Sequence, residues 1–263
     1  MNNEVMYDQF SVVYDRFVNW EERLAHELPF LVSKLTGLNQ IDSQPTSILD
    51  TACGTGHHLI ALKENGFDVT GADISSKMVE IAQHNAQTAG LTIPFKQAGF
   101  GQLSKTFREQ RFDGLLCLGN SLPHSLDDQA LTKTLNDFRS VMRPGGILIV
   151  QNRNFDLVMK TKNRWMEPQS FREGGRTWIF VRFYDFDPDG LITFNILILS
   201  KQDQEDYQQQ VISTRLRPLL ERELISSLKK SGFVELERYG DLQGAAFDKN
   251  KSGNLVVIAR TAD

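Results

Sequence analysis

Residues 47–56 read SILDTACGTG, a short apolar strand that runs straight into a glycine turn, and HHLIALKEN (57–65) follows with helical spacing, closed by Gly66. A strand, a glycine turn and a helix start in succession form an anion- and nucleotide-binding device. Glycine lets a ligand approach the backbone, and the helix start offers unpaired N–H groups. The alternation continues outward. FDVTGADIS (67–75), IPFKQAGF (93–100), RFDGLLCLGN (111–120) and ILIVQNRN (147–154) read as strands. SKMVEIAQHNAQTAG (76–90) and DQALTKTLNDFRSVM (128–142) read as helices, and MRPGG (142–146) as a turn. Strands alternating with helices imply parallel crossover units with both sheet faces covered. The expected fold is α/β, a doubly wound, mainly parallel Rossmann-like sheet.

Upstream, residues 7–36 read as one helix, because Leu24, Leu28, Leu31, Val32 and Leu35 recur at three- and four-residue intervals. Gly37 ends it, and NQIDSQPTS (39–47) is a polar loop. Downstream, the alternation breaks. TWIFVRFYDFD (177–187), LITFNILILS (191–200) and YQQQVISTRLRP (207–218) are extended, β-branched and aromatic, with DPDG (187–190) as a tight turn and KQDQEDYQQQ (201–210) as a solvated hairpin tip. A last helix, ERELISSLKKSG (221–232), precedes two closing strands, FVELERYG (233–240) and LVVIAR (255–260). The expected organisation is an N-terminal helical cap over 1–44, an α/β domain over 45–152 and 215–263, and an inserted antiparallel β meander, a lid, over 153–214.

Composition narrows the class. The 263 residues are 40% hydrophobic, enough to bury a sizeable core, and Lys+Arg 29 against Asp+Glu 33 leaves a net charge of −4. That balance supplies no general pull toward nucleic acid or an anionic membrane. No apolar run is long enough to span a bilayer, the polar opening MNNEVMYDQF lacks a signal-peptide core, and two cysteines build no disulfide framework. The expectation is a cytoplasmic enzyme or binding protein with neither nucleic acid nor membrane as partner. Exposed meander edges permit capping within one subunit or pairing across a dimer, so oligomeric state stays open.

Two acids sharpen the glycine turn Cys53-Gly54-Thr55-Gly56. Asp50 closes the first strand and Asp73 closes the second, 23 positions on. An acid at the second position is placed to accept both ribose hydroxyls. A dinucleotide site calls for a third glycine where this chain has Leu59, and it disfavours an acid at Asp50, beside an anionic pyrophosphate. A cofactor with an amino group and a sulfonium suits that acid, so S-adenosylmethionine is favoured over NAD. His57 and His58 stand near Cys53, but adjacent histidines point apart and no metal-ligand spacing accompanies them, so no metal site is expected.

ILDTACGTG, VTGADIS, FDGLLCLGNSLPH and MRPGGILIV resemble the class I S-adenosylmethionine-dependent methyltransferases across about 47–150, with LVVIAR at the end. Three stretches carry a narrower resemblance, to glycine N-methyltransferase and the glycine/sarcosine methyltransferases: D-x-ACGTG from Asp50, CLGNSLPH (117–124) and NRNFD (152–156). The resemblance implies that Ala52, Gly54 and Gly56 form the loop beside the methionine portion and that Asp73, with Ile74 next to it, holds the ribose. Leu118, Gly119, Asn120 and Ser121 flank the cofactor after the fourth strand, Arg23 grips its carboxylate, and Tyr14 contacts it from the N-terminal segment. Phe100 stacks on the adenine, while Gly99 stands where an Asp or Asn usually accepts from the adenine amino group. Gln97 or Gln102 are its candidate substitutes.

Arg153 falls on the substrate-carboxylate arginine, and the catalytic group is completed by His124, as orienting group or base, and Asn120. The family has His at Asn152 and Tyr at Phe155. Arg164, Trp165, Arg172 and Arg176 are candidates for the mouth of the site. The implied activity is methylation of a small molecule bearing a carboxylate, glycine or a related amino acid being the sharpest reading. A methyltransferase for another acceptor, with an O- or C-nucleophile or a larger amine, stays open, as does a non-catalytic S-adenosylmethionine-binding regulatory protein.

Overall fold

The structure, a computed structural model, describes residues 3–36, 38 and 44–262. Five parallel strands, β1 (Ser47–Asp50), β2 (Asp68–Asp73), β3 (Phe95–Gln97), β4 (Phe112–Cys117) and β5 (Met142–Arg153), form the centre of one sheet. The antiparallel sheet is made by β6 (Gln169–Glu173), β7 (Arg176–Phe186), β8 (Ile192–Gln202) and β9 (Gln208–Leu216), paired in chain order. The chain then returns through β10 (Phe233–Tyr239) and β11 (Asn254–Thr261) to the first sheet, where β11 lies antiparallel beside β5. The seven-stranded order is β10-β11-β5-β4-β1-β2-β3. Strand order reverses between β1 and β4, and in open α/β sheets ligands bind at that switch, outside the strand C-termini.

Helices α1 (Asn3–Phe17) and α2 (Trp20–Leu35) precede the sheet, and α3 (His57–Glu64) and α4 (Ser76–Thr88) are its first crossovers. Leu31 and Leu35 of α2, Leu59 and Leu62 of α3 and Ala82 of α4 are buried on one sheet face. After these come α5 (Leu103–Thr106), α6 (Asp128–Ser140), α7 (Phe155–Thr161) and α8 (Glu221–Lys230). Phe138 of α6 and Leu224 and Leu228 of α8 fill the opposite face. Helix α1 does not pack on the main sheet. Its Met6 and Phe10 bury against Trp178, Phe180, Ile196 and Ile212 of the meander. Full burial of a Phe or Met contributes about 1.5–3 kcal/mol. No helix among the described residues is long and apolar enough to cross a membrane.

Several elements differ from the sequence reading. The single helix over 7–36 is two helices, because the Asn19 side chain accepts from the Glu22 N–H (3.3 Å) and starts a new helix there. Helix α2 ends at Thr36, whose N–H donates to the Val32 carbonyl; Gly37 and residues 39–43 of the polar loop lie outside the described residues. MRPGG is no turn but the start of β5, where Gly145 (φ +67°) sits beside a register slip between Phe112 and Gly114. Such a bulge keeps a strand continuous through residues that otherwise mark a loop. The meander has four strands, β6 being the addition, and helix α7 opens the inserted segment on an Asn154 cap that accepts from Leu157 N–H (3.3 Å).

Candidate active site

The C-terminal ends of β1, β2, β4 and β5 border a cavity of about 580 Å³, whose other walls come from α1, the start of α2, and β7 and β8. Of the residues expected to bind the cofactor or act in catalysis, all but Gly56 border it; the glutamines and mouth residues also considered do not. Gly56 (φ +84°) instead starts α3: a Cβ there would lie 3.0 Å from Ala82 Cβ and 3.2 Å from the Phe95 ring. Its place in the loop is a matter of helix–sheet packing. Gly54 (φ +53°) does face the cavity, and a Cβ on it would meet the Tyr14 ring at 3.6 Å.

Asp73 anchors the loop from β2. Its Oδ2 accepts from the Gly54 N–H and its Oδ1 from the Ser75 N–H, both at 2.9 Å. Asp50 Oδ1 accepts from the Ala52 N–H at 3.1 Å. Burial pushes Asp50 up to about 7 and Asp73 up to about 6. Two buried carboxylates side by side on neighbouring strands favour a cationic, hydroxyl-bearing ligand that stabilises their charged forms.

Arg23 and Tyr14 complete this end. Arg23 Nε lies 3.1 Å from both Glu27 oxygens, its guanidinium lies over the Trp20 ring at 5.2 Å, and its charge is felt by Tyr14 and Asp50. Glu27 also bonds His58 Nε2 at 2.7 Å. A second polar cluster centres on Asp15, which accepts from Trp20 Nε1 (2.8 Å), Thr55 Oγ1 (2.6 Å) and Asn85 Nδ2 (3.3 Å). His57 stacks on Trp20 with ring centroids 4.6 Å apart. Both histidines are thus engaged in fastening the N-terminal helices to the glycine loop, and both cysteines are buried free thiols.

At the end formed by Ile74, Gly99 and Phe100 no acid takes the usual adenine position. Gln102 Oε1 accepts from Gly99 N–H (3.0 Å), and Gln97 Nε2 donates to Glu4 (2.9 Å) and to the Ile74 carbonyl (3.2 Å). Neither glutamine borders the cavity. A Cβ on Gly99 would meet Ile74 Cγ1 and Cδ1 at 3.2 Å, so the apolar Ile74 crowds this position.

After β4, Gly119 and Asn120 both take positive φ (+69° and +67°). The turn carries Asn120 Oδ1 to the Arg153 N–H (2.9 Å), while Gln151 Oε1 accepts from Gly119 N–H (2.8 Å). Asn120 therefore positions the end of β5. His124 Nε2 lies 2.7 Å from the Tyr7 hydroxyl, and burial pushes His124 down to about 4. Such a ring is neutral at pH 7 and too weak a base to hold a proton taken from an ammonium group.

Arg153 borders the cavity with its Nε buried and unpartnered. The meander adds residues that the sequence reading did not single out: Arg182 and Tyr184 of β7 and Phe194 of β8. Their signal lies in the period of two, which puts Arg182 on the inward row with Trp178, Phe180 and Tyr184. Arg164, Trp165, Arg172 and Arg176 do not border the cavity. Arg164 pairs with Asp185, and Trp165, 56% exposed, packs on Phe183. Asn152 and Phe155, where the chain departs from the family, are both buried away from the cavity.

A doubly wound sheet with a glycine loop and strand-end acids at its switch point defines a nucleoside-cofactor α/β protein. Residues 48–146 match the family described as "Methyltransferase domain". A glycine/sarcosine N-methyltransferase of Aphanothece halophytica is 31% identical over 247 residues, 89% of this chain and 82% of that one. Another, of Halorhodospira halochloris, is 34% identical over 156 residues, 59% of this chain and 56% of that one. The structure of an S-adenosylmethionine-dependent methyltransferase from Clostridium acetobutylicum aligns at TM-score 0.77 and 18% identity, over 98% of this chain and 99% of that one. The chain belongs to the S-adenosylmethionine-dependent methyltransferase family that includes the Aphanothece halophytica enzyme. Its cofactor is S-adenosylmethionine, and the donor set fits: carboxylates for an ammonium and a ribose, a guanidinium for a carboxylate, and an apolar slot for a base.

Proposed function

We propose that this methyltransferase N-methylates a small amino acid, with glycine and its methylated forms as the reference substrates. The observation that carries the reading is Arg153, at the end of β5, with its Nε buried and unpartnered beside the cavity. A guanidinium in that state holds a carboxylate through paired charge-assisted hydrogen bonds. The name of the Aphanothece halophytica relative, a glycine/sarcosine N-methyltransferase, supports it.

In this reading Arg23 holds the cofactor's carboxylate, Asp50 and the Ala52–Gly54 loop its methionine portion, and Asp73 its ribose. Ile74, Gly99 and Phe100 take the adenine, and Leu118, Gly119 and Ser121 flank it. Tyr14 closes over the loop. When bound, the cofactor supplies an electrophilic methyl group and a thioether leaving group. Arg153 aligns the acceptor, and the aromatic wall of Tyr7, Phe10 and Tyr14 excludes water. The acceptor amine arrives neutral because nearby guanidinium charge lowers the pKa of its ammonium form. Asn120 fixes Arg153, and His124 orients through Tyr7. The two free, buried cysteines support a cytoplasmic setting.

The test is S-adenosylhomocysteine release with glycine, sarcosine and dimethylglycine, beside unrelated amines, phenols and carboxylic acids. Turnover of glycine or its methylated forms is expected, with KM raised at least about tenfold in Arg153→Ala, the equivalent of about 1.4 kcal/mol. Turnover confined to acceptors without a carboxylate overturns the reading.

A further inference from the structure

Arg182 has no part in the function proposed above, yet it faces the same cavity. It sits on the inward row of β7 with Trp178, Phe180 and Tyr184, opposite Ile196 of β8; of these neighbours Tyr184 and Ile196 also border the cavity. Its guanidinium lies over the Phe17 ring at 4.9 Å, while its Nε is buried with no partner. Arg153 Nε is likewise buried with no partner, while the rest of its guanidinium reaches only neutral acceptors, Asn254 Oδ1 at 3.5 Å and the Tyr184 hydroxyl. Both arginines border the one cavity, and the charge of Arg153 acts on Arg182.

Eight arginines elsewhere among the described residues (16, 23, 143, 164, 215, 217, 238 and 260) each pair with a carboxylate. Six more (108, 111, 139, 172, 176 and 222) have no carboxylate partner among the described residues but do not border the cavity, whereas Arg153 and Arg182 border it and pair with none of the described acids. The cavity's own acids are at the other end: Glu27 is engaged by Arg23 and His58, and Asp50 and Asp73 hold the glycine loop. A ring face attracts a cation but does not discharge it, and buried guanidinium donors are rarely left without an acceptor. One carboxylate satisfies one fork and leaves the second cation beside it unmatched.

We infer that Arg153 and Arg182 together form a dianion site, and that the methyl acceptor is an amine carrying two carboxylates. The inference rests on the amine-methylation reading for the nature of the reaction, but not for the anion site itself. Arg182 is then the specificity-determining residue, separating dicarboxylic from monocarboxylic amines.

Two measurements test it. In the first, malonate and acetate are titrated calorimetrically into the protein, with wild type, Arg182→Met and Arg182→Lys compared. Malonate is expected to bind at least tenfold more tightly than acetate. Arg182→Met should erase that ratio, and Arg182→Lys, which keeps the charge and loses the fork, should retain part of it. In the second, kcat/KM is measured for aspartate and iminodiacetate against glycine and sarcosine. The dicarboxylic amines should lead, and Arg182→Met should lower them at least tenfold more than glycine. Equal binding of malonate and acetate by wild type, or a ratio unchanged in both variants, overturns the dianion site. Selective, Arg182-dependent malonate binding without turnover of any of these amines would leave the site standing and overturn the amine-methylation reading instead.

Discussion

Asp50 and Asp73 are buried acids whose protons are held more tightly in the folded chain than in the unfolded one, with burial as the first cause. The sign follows. A raised folded pKa gives a contribution to stability that is present below the unfolded value and is lost as pH rises toward about 7 for Asp50 and about 6 for Asp73. A cationic ligand reverses the balance by stabilising the ionised pair. Affinity for S-adenosylhomocysteine, which keeps the ammonium group, is therefore expected to rise from about pH 5.5 to about pH 7.5. Asp50→Asn should remove the upper part of that rise in calorimetric titrations, and a flat wild-type profile would contradict the assignment. His124 points the other way, held near 4 by burial. With S-adenosylmethionine saturating, so that the Asp50–Asp73 pair is already ionised, the pH dependence of kcat/KM for the acceptor should accordingly show no step near the usual histidine value, and His124→Gln should leave the shape of the profile unaltered. A step near pH 6.5 that vanishes in the variant would reinstate His124 as a base.

At the scale of elements, the glycine loop is held by close packing as much as by its ligand. Gly56 and Gly71 both lie against Phe95: a Cβ on Gly71 would fall within 2.7 Å of ring atoms, and one on Gly56 would fall within 3.3 Å. Gly56→Ala adds left-handed strain of about 1–2 kcal/mol to that crowding. Denaturant unfolding should show a loss of at least about 2 kcal/mol, and a loss below about 0.5 kcal/mol would refute the packing role. Asp15 ties α1 and Trp20 of α2 to Thr55 at the start of α3. Asp15→Ala removes acceptors from three donors and should weaken S-adenosylhomocysteine binding several-fold while speeding proteolysis of the first twenty residues. Unchanged cleavage and affinity would show that apolar contacts with the meander hold α1 unaided. Those contacts supply what the sequence left open about α1, which it marked as part of a cap reaching the cofactor through Tyr14 but not as a partner of the meander. Its apolar residues show that it is buried, but nothing in their order says that the partner is β7–β9 rather than the main sheet.

Across the whole molecule the cavity is bounded by three bodies: the parallel sheet, the N-terminal helices and the meander. A ligand seated among them couples their stabilities. At a concentration about 100 times Kd, S-adenosylhomocysteine should raise the unfolding free energy by about 2.7 kcal/mol. Hydrogen exchange should slow in α1 as well as in the glycine loop. Protection confined to 50–56 and 73–75 would mean that the N-terminal helices do not close the bound site.

The sequence by itself determined the crossover units, the strand-end acids Asp50 and Asp73 and the glycine loop between them, because alternation, turn chemistry and spacing are local properties of the chain. It also marked Arg153 and the turn through Asn120, through short motifs within single connections. Only the tertiary structure decided that Gly56 packs against Ala82 and Phe95, that Gln97 and Gln102 are spent on other partners, and that Arg182 borders the same cavity as Arg153. Each of those depends on which side chains meet across elements distant in the chain: Ala82 and Phe95 for Gly56, Glu4 for Gln97, and a meander strand set against the end of β5. Local periodicity gives the face on which a residue sits, and the packing of one sheet against another gives what that face meets.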